Sequence, residues 1–245
     1  DRQPDIPDLG RDEFGDLARR LGNMAEDLGE REATLAAEFE ERRALLLSVL
    51  PPRLVDEAGV VSDGGSLADV ATVIAVAVDS DVPELRDDED RVADLLDQVA
   101  AFQGGALSAG GIERVRASAD NYMYVAGMGS DQDGAAEALA FITEQLRLFA
   151  DLKLREDVEM HLRVGIATGA VSTGVLDGGS LTFGAWGLPV RQAAALSAMS
   201  AANRVLVDAS TVAALPDSEL FVEAQDVVAL DGEPMNLFTL ADPVD

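Results

Sequence analysis

The chain has no cysteine, which excludes a disulfide framework and any metal site held by thiolates, and is compatible with a reducing compartment. It has one histidine, so neither a histidine metal cluster nor a Ser-His-Asp triad is read from it. That residue, His161, lies between the apolar Met160 and Leu162 and is read as a structural imidazole. Positive charge is scarce: Lys153 is the only lysine, and 18 basic residues face 46 acidic ones for a net charge of −28. Such a surface repels phosphate backbones and anionic headgroups, so no nucleic-acid partner is expected. A polyanionic nucleotide would need local arginines and a divalent metal to enter that field. No run approaches the roughly 20 apolar residues that span a bilayer, and no signal peptide is read at the start.

What is present is enough for one sizeable core, since 48% of 245 residues are hydrophobic. Residues 1–50 read differently from the rest. Leu17, Leu21, Met24, Leu28, Leu35, Phe39 and Leu46 recur at helical spacing, which predicts a long helix with one apolar stripe. Arg31 and Glu38 interrupt it, so a stutter or a change of partner is expected there. Pro51 and Pro52 end the helix, because neither donates a backbone hydrogen bond.

Beyond them, Thr72 to Asp79 reads as a buried central strand, and Arg91 to Phe102 as a helix. Val115 to Val125 reads as a strand pair turning at Asp120-Asn121. Gly134 to Arg147 reads as a helix, 163–176 as two strands around Thr168-Gly169, and Val190 to Met199 as another helix. Val205 to Asp208 and Phe238 to Leu240 are late strands. The alternation predicts an α/β (α+β) sandwich.

Three stretches carry a resemblance. Arg163-Val-Gly-Ile-Ala-Thr-Gly-Ala-Val-Ser-Thr-Gly-Val-Leu176, with Trp186-Gly187 after it, resembles the centre of a class III nucleotide cyclase domain. Arg114-Val-Arg-Ala-Ser-Ala-Asp-Asn-Tyr-Met-Tyr-Val125 resembles that family's Lys-Ile-Lys-Thr-Ile-Gly-Asp-x-Tyr-Met-x-Val. Asp12-Glu-Phe-Gly-Asp-Leu-Ala-Arg-Arg-Leu-Gly-Asn-Met-Ala-Glu-Asp-Leu28 resembles the second helix of a HAMP signalling module. The resemblances imply a partial HAMP module at 1–29, a signalling helix and Leu-Pro linker at 30–52, and a cyclase homology domain of ferredoxin-like fold at 53–245. They imply a fragment of a membrane receptor whose cyclase portion lies on the cytoplasmic side. The membrane contact would belong to a region upstream of this sequence.

The cyclase resemblance also implies a site, and here the polar residues depart from the pattern. The family holds two divalent metals on two aspartates from adjacent strands. Asp120 falls on the second. For the first, aligning Ala71-Thr-Val-Ile with the family's Val-Thr-Val-Leu places Ala77, a neighbouring alignment places Val76, and a shifted one uses Asp79. The purine-reading lysine and aspartate fall on Arg116 and Gly184. The ribose-orienting asparagine and the transition-state arginine fall on Arg191 and Ala195. An alanine stabilises no developing charge, and losing one such donor costs on the order of a hundredfold or more. The glycines at 174, 178 and 179 lack the Gly-Lys-Ser/Thr of a phosphate loop and read as a hairpin.

Three functions follow as expectations. The first is an inactive cyclase homology domain, kept as a dimeric regulatory module and needing no cofactor. The second is a divergent cyclase using magnesium or manganese, or an inactive half paired with an active cyclase chain. The third is a nucleotide sensor built on Arg114, Arg116 and Arg191. The expected homodimer uses both the helix and the cyclase portion.

Overall fold

The apolar run at Thr72 sets the centre of the fold. Strand β1 (Ser66–Ser80) buries Ile74, Val76 and Val78 on one face and Val73, Ala75 and Ala77 on the other. A strand apolar on both faces needs partners on both edges and cover on both sides. The computed structural model describes residues 13–56, 60–61, 65–80, 98, 111–117, 120–128, 133–156, 160–177, 181–216, 221–224, 228–230 and 233–240. They fall into two units, Asp1–Ser62 and Asp63–Asp245.

In the second unit, β1 is followed by β2 (Ile112–Ala117), β3 (Asn121–Ala126), β4 (Met160–Asp177), β5 (Leu181–Trp186) and β6 (Arg204–Asp208). Then come β7 (Phe221–Glu223), β8 (Val228–Leu230), β9 (Glu233–Met235) and β10 (Leu237–Leu240). One sheet runs β2-β3-β1-β4-β6-β10-β7, with β5 paired to β4, while β8 and β9 form a separate pair. Neighbours are antiparallel except β4 and β6, which are parallel.

Among the described residues three helices accompany the strands of this unit: α2 (Gly134–Glu156), α3 (Leu188–Met199) and α4 (Ala209–Ala214). Ala138, Phe141, Ile142 and Leu146 of α2 recur at helical spacing and join Ile74, Val76, Tyr124 and Val164 in the larger core. Ala193 and Leu196 of α3 pack with Val73, Ala75, Ala167 and Val171 on the other face. Each fully buried Val, Leu or Ile contributes roughly 1.5–3 kcal/mol. Asp208 caps α4 by accepting the Thr211 N–H at 2.9 Å. This is the mixed α/β fold expected of the cyclase class.

The expected break at Thr168-Gly169 is a correction. β4 runs unbroken from Met160 to Asp177, with Thr168 paired to Thr72 and Gly169 to Ala71. Side-chain bonds at Thr168 hold the backbone extended, and the missing side chain of Gly169 admits Pro189, whose Cγ is 3.0 Å from where a Cβ would sit. The hairpin falls instead between Asp177 and Leu181. The helix expected over 91–102 lies, apart from Gln98, outside the described residues.

In the first unit, α1 (Glu13–Val49) is a single 37-residue helix that stops just before Pro51. Pro52–Leu54 form one 3-10 turn after it. Leu17, Leu21, Met24, Leu28 and Leu35 are more than half exposed, so the stripe is uncovered in one chain. No helix among the described residues is long and apolar enough to cross a membrane.

Candidate functional site

The β2–β3 hairpin places Asp120. Arg114 pairs with Tyr124 and Arg116 with Met123, and the register shift between them leaves Val115 as a bulge. Asp120 is exposed at the hairpin tip, and its carbonyl accepts the Val78 N–H at 2.7 Å. Next to it, Ala77 pairs with Asn121.

The three residues considered as the partner of Asp120 therefore stand at different places. Val76 is buried in the α2-side core. Ala77 faces the α3 side and carries no carboxylate. Asp79 pairs with His161, and its carboxylate is engaged by Arg163, whose Nε lies 2.5 Å from Oδ2 and whose second terminal nitrogen donates to Oδ1 at 2.9 Å. The first terminal nitrogen of Arg163 donates to the Ala198 carbonyl in the last turn of α3 at 3.0 Å. With side chains 27% and 47% exposed, the ion pair contributes less than about 1 kcal/mol. Its effect is orientation, because it holds the Asp79 carboxylate toward β4 and α3. His161 is half-buried, with its Nδ1 3.5 Å from the Asn203 amide.

The β4–β5 hairpin places the next pair. Gly174 pairs with Gly184, and Ser172 with Trp186. Strands β2 and β5, which carry Arg116 and Gly184, come within 8 Å of each other. The Trp186 indole lies across Gly184: a Cβ there would sit 2.8 Å and 2.9 Å from two ring carbons. A Cβ on Gly174 would sit 3.7 Å from the same ring. A side chain at 184 thus requires the indole to move.

Gly187, at φ 139°, opens α3 in a conformation that side chains resist, and a Cβ would meet the Ala170 carbonyl at 2.5 Å. Pro189 suits the first turn, where its missing N–H costs nothing. Arg191 is exposed and Ala195 half-buried; four residues apart, they share a helix face. Among the described residues no group of three or more His, Asp or Glu is placed to hold a metal ion.

Sequence reading missed a buried hydroxyl chain. Thr72, Thr168, Thr211 and Asp208 are each 6% exposed or less. The Thr211 hydroxyl donates to Asp208 Oδ1 at 2.5 Å, and the Thr168 N–H donates to the same oxygen at 3.3 Å. Thr168 and Thr211 hydroxyls are 2.9 Å apart, as are those of Thr72 and Thr168. Each hydroxyl has one proton, so the direction is fixed as Thr72 to Thr168 to Thr211 to Asp208. The available cue was Asp208 three residues before Thr211, a helix-capping spacing. Tyr124 is also buried, its ring 5.0 Å from Phe141 and nearly edge-on. Burial pushes its phenol well above the ordinary value of 10.0, against the lowering effect of Arg114.

Comparison with known proteins agrees with this geometry. A sequence model of the Adenylate and Guanylate cyclase catalytic domain matches residues 84–242, and the chain belongs to that family. It is 27% identical over 190 residues to an adenylate cyclase of Mycobacterium bovis, covering 74% of this chain and 42% of that protein. An adenylate cyclase of Mycobacterium tuberculosis matches to the same extent. The chain thus spans about two-fifths of the length of these curated relatives. The crystal structure of the adenylyl cyclase CyaB from P. aeruginosa superposes with a TM-score of 0.64 at 16% identity, over 73% of this chain and 96% of that one. A bacterial light-regulated adenylyl cyclase superposes at 0.66 with 15% identity, over 87% of this chain and 65% of the other. These structural likenesses concern the fold.

Proposed function

We propose that this chain is a cyclase domain that keeps the family fold without its catalysis and acts as a dimeric regulatory module. The observation that carries the reading is the register at the hairpin tip, where Val78 bonds the Asp120 backbone and Ala77 pairs with Asn121, so that neither β1 residue there carries a carboxylate. Two divalent ions on a triphosphate need two carboxylates to bridge them and balance their charge. On this reading Asp120 has no second carboxylate turned toward it among the described residues, because Asp79 is turned to Arg163, and the donor set described does not fit a metal pair. Trp186 over Gly184 and Ala195 on α3 add to it: the first fills the base-reading position, and the second offers no donor to a developing charge.

The regulatory part is inferred from surfaces. The dimeric guanylyl cyclase domain of a fungal RhoGC fusion protein is among the similar structures. Here the apolar stripe of α1 is exposed, as are Leu176, Trp186 and Leu188 of the cyclase portion. The HAMP-like stretch at 12–28 is read as the input that shifts this dimer between two arrangements. The same reading places the receptor at a membrane, with this portion on the cytoplasmic side.

The test is cyclic nucleotide production by the purified chain with ATP or GTP and excess manganese. The expected result is no product above a protein-free control. Product that Asp120→Asn abolishes would establish the second reading, a divergent cyclase in which Asp79 leaves Arg163 to join Asp120. The adenylate cyclase names of the mycobacterial relatives favour that alternative. A heterodimer in which an active chain supplies the missing groups predicts activity only on co-expression.

A further inference from the structure

A cleft of about 500 Å³ opens at the end of β1 away from the Asp120 hairpin, lined among others by Leu67, Asp69, Val70, Thr72, Met128 and Asp133. Its size is ordinary for a small-molecule site. None of these residues falls on a family position discussed above. Two local features build it. The register between β1 and β4 shifts between Ala68 and Ala71, so Asp69 and Val70 form a bulge that leaves both exposed at the cleft. The hydroxyl chain ends here, with Thr72 and Thr168 both in the lining.

The direction of that chain decides what the cleft accepts. The Thr72 proton goes to Thr168 and the Thr168 proton to Thr211, so neither threonine offers a hydroxyl proton to the cleft. Thr72 presents lone pairs. Asp69 and Asp133 present carboxylates, and among the described residues no Lys, Arg, His, Asn or Gln is in the lining. The start of α2 also borders the cleft, and Asp133 takes two donors of its first turn: Oδ1 accepts the Ala136 N–H at 3.3 Å, and the carbonyl accepts the Glu137 N–H at 3.0 Å. Side-chain acceptors without side-chain donors, beside the apolar walls of Leu67, Val70 and Met128, suit a ligand that brings its own N–H groups. We propose that this cleft binds a small organic cation, an amine or guanidinium on a short aliphatic chain. The N–H end would lie on Thr72 and Asp69, and the chain on the apolar wall. The inference is independent of whether the domain turns over nucleotides.

Isothermal titration of the 245-residue chain with agmatine tests it, with 1,5-pentanediol as an uncharged control for the aliphatic chain. The net charge of −28 attracts any cation diffusely, so the decisive comparison is between variants of equal charge. Asp69→Asn removes a carboxylate at the exposed bulge, and Glu40→Gln removes one on α1. The expected result is saturable agmatine binding, weakened about tenfold or more by Asp69→Asn and by Thr72→Val, unchanged by Glu40→Gln, and absent with the diol. No saturable heat overturns the proposal, as does equal weakening by Asp69→Asn and Glu40→Gln. Should Thr72→Val fail to fold, the comparison of the two carboxylate variants still decides.

Discussion

At Gly165 a missing side chain brings a helix and a strand together. A Cβ there would run into the Ala193 carbonyl and the Ser197 amide of α3, both backbone and unable to turn aside. Gly165→Ala is therefore expected to destabilise the fold by about 2–3 kcal/mol, seen as a lower urea midpoint at unchanged slope. Tyr124 behaves oppositely. Its hydroxyl is buried with no hydrogen-bond partner among the described residues, so Tyr124→Phe should change stability little at neutral pH. Burial raises its folded pKa above the unfolded value near 10, so its contribution is complete below that pH and lost as pH rises. The variant should lose less stability than the parent above about pH 10, measured by denaturant titration. At this scale the sequence was informative about substitutions and silent about company. Gly184, Arg191 and Ala195 could be read from the motif frame around them. The indole resting on Gly184 and the guanidinium holding Asp79 depend on how chain segments far apart in sequence meet.

Elements were legible where periodicity was strong and their ends chemically marked. The stripe of α1 and the proline pair after it predicted a helix ended by Pro51 and Pro52, and it runs to Val49; the apolar run at Thr72 predicted the central strand. β4 was misread because Thr168-Gly169 looks like a turn locally, whereas pairing to Thr72 and Ala71 holds it straight. Among elements, α1 carries its own prediction. Arg31 and Glu38 interrupt the stripe, and charged residues on a helix seam weaken association while selecting register. The double change Arg31→Leu with Glu38→Leu should tighten self-association on the order of tenfold or more, observed by sedimentation velocity.

For the whole molecule, charge dominates. A net of −28 stores self-repulsion in the folded state, and salt relieves it as the screening length falls from about 30 Å to about 8 Å between 0.01 M and 0.15 M. The melting temperature should therefore rise by several degrees over that range in calorimetry, and a flat response would show that the acidic residues are already well separated. The sheet order has a consequence for biosynthesis. β1 is made early, yet one edge waits for β3 and the other for β4, with Ser66 completed only by Thr173. Until a ribosome has extruded that partner, an apolar strand with two open edges stays in the nascent chain, prone to premature pairing between neighbouring polysomal copies. Folding of this domain is thus expected to wait until β4 has emerged, and the chain to be a natural client for chaperones that shield extended hydrophobic segments.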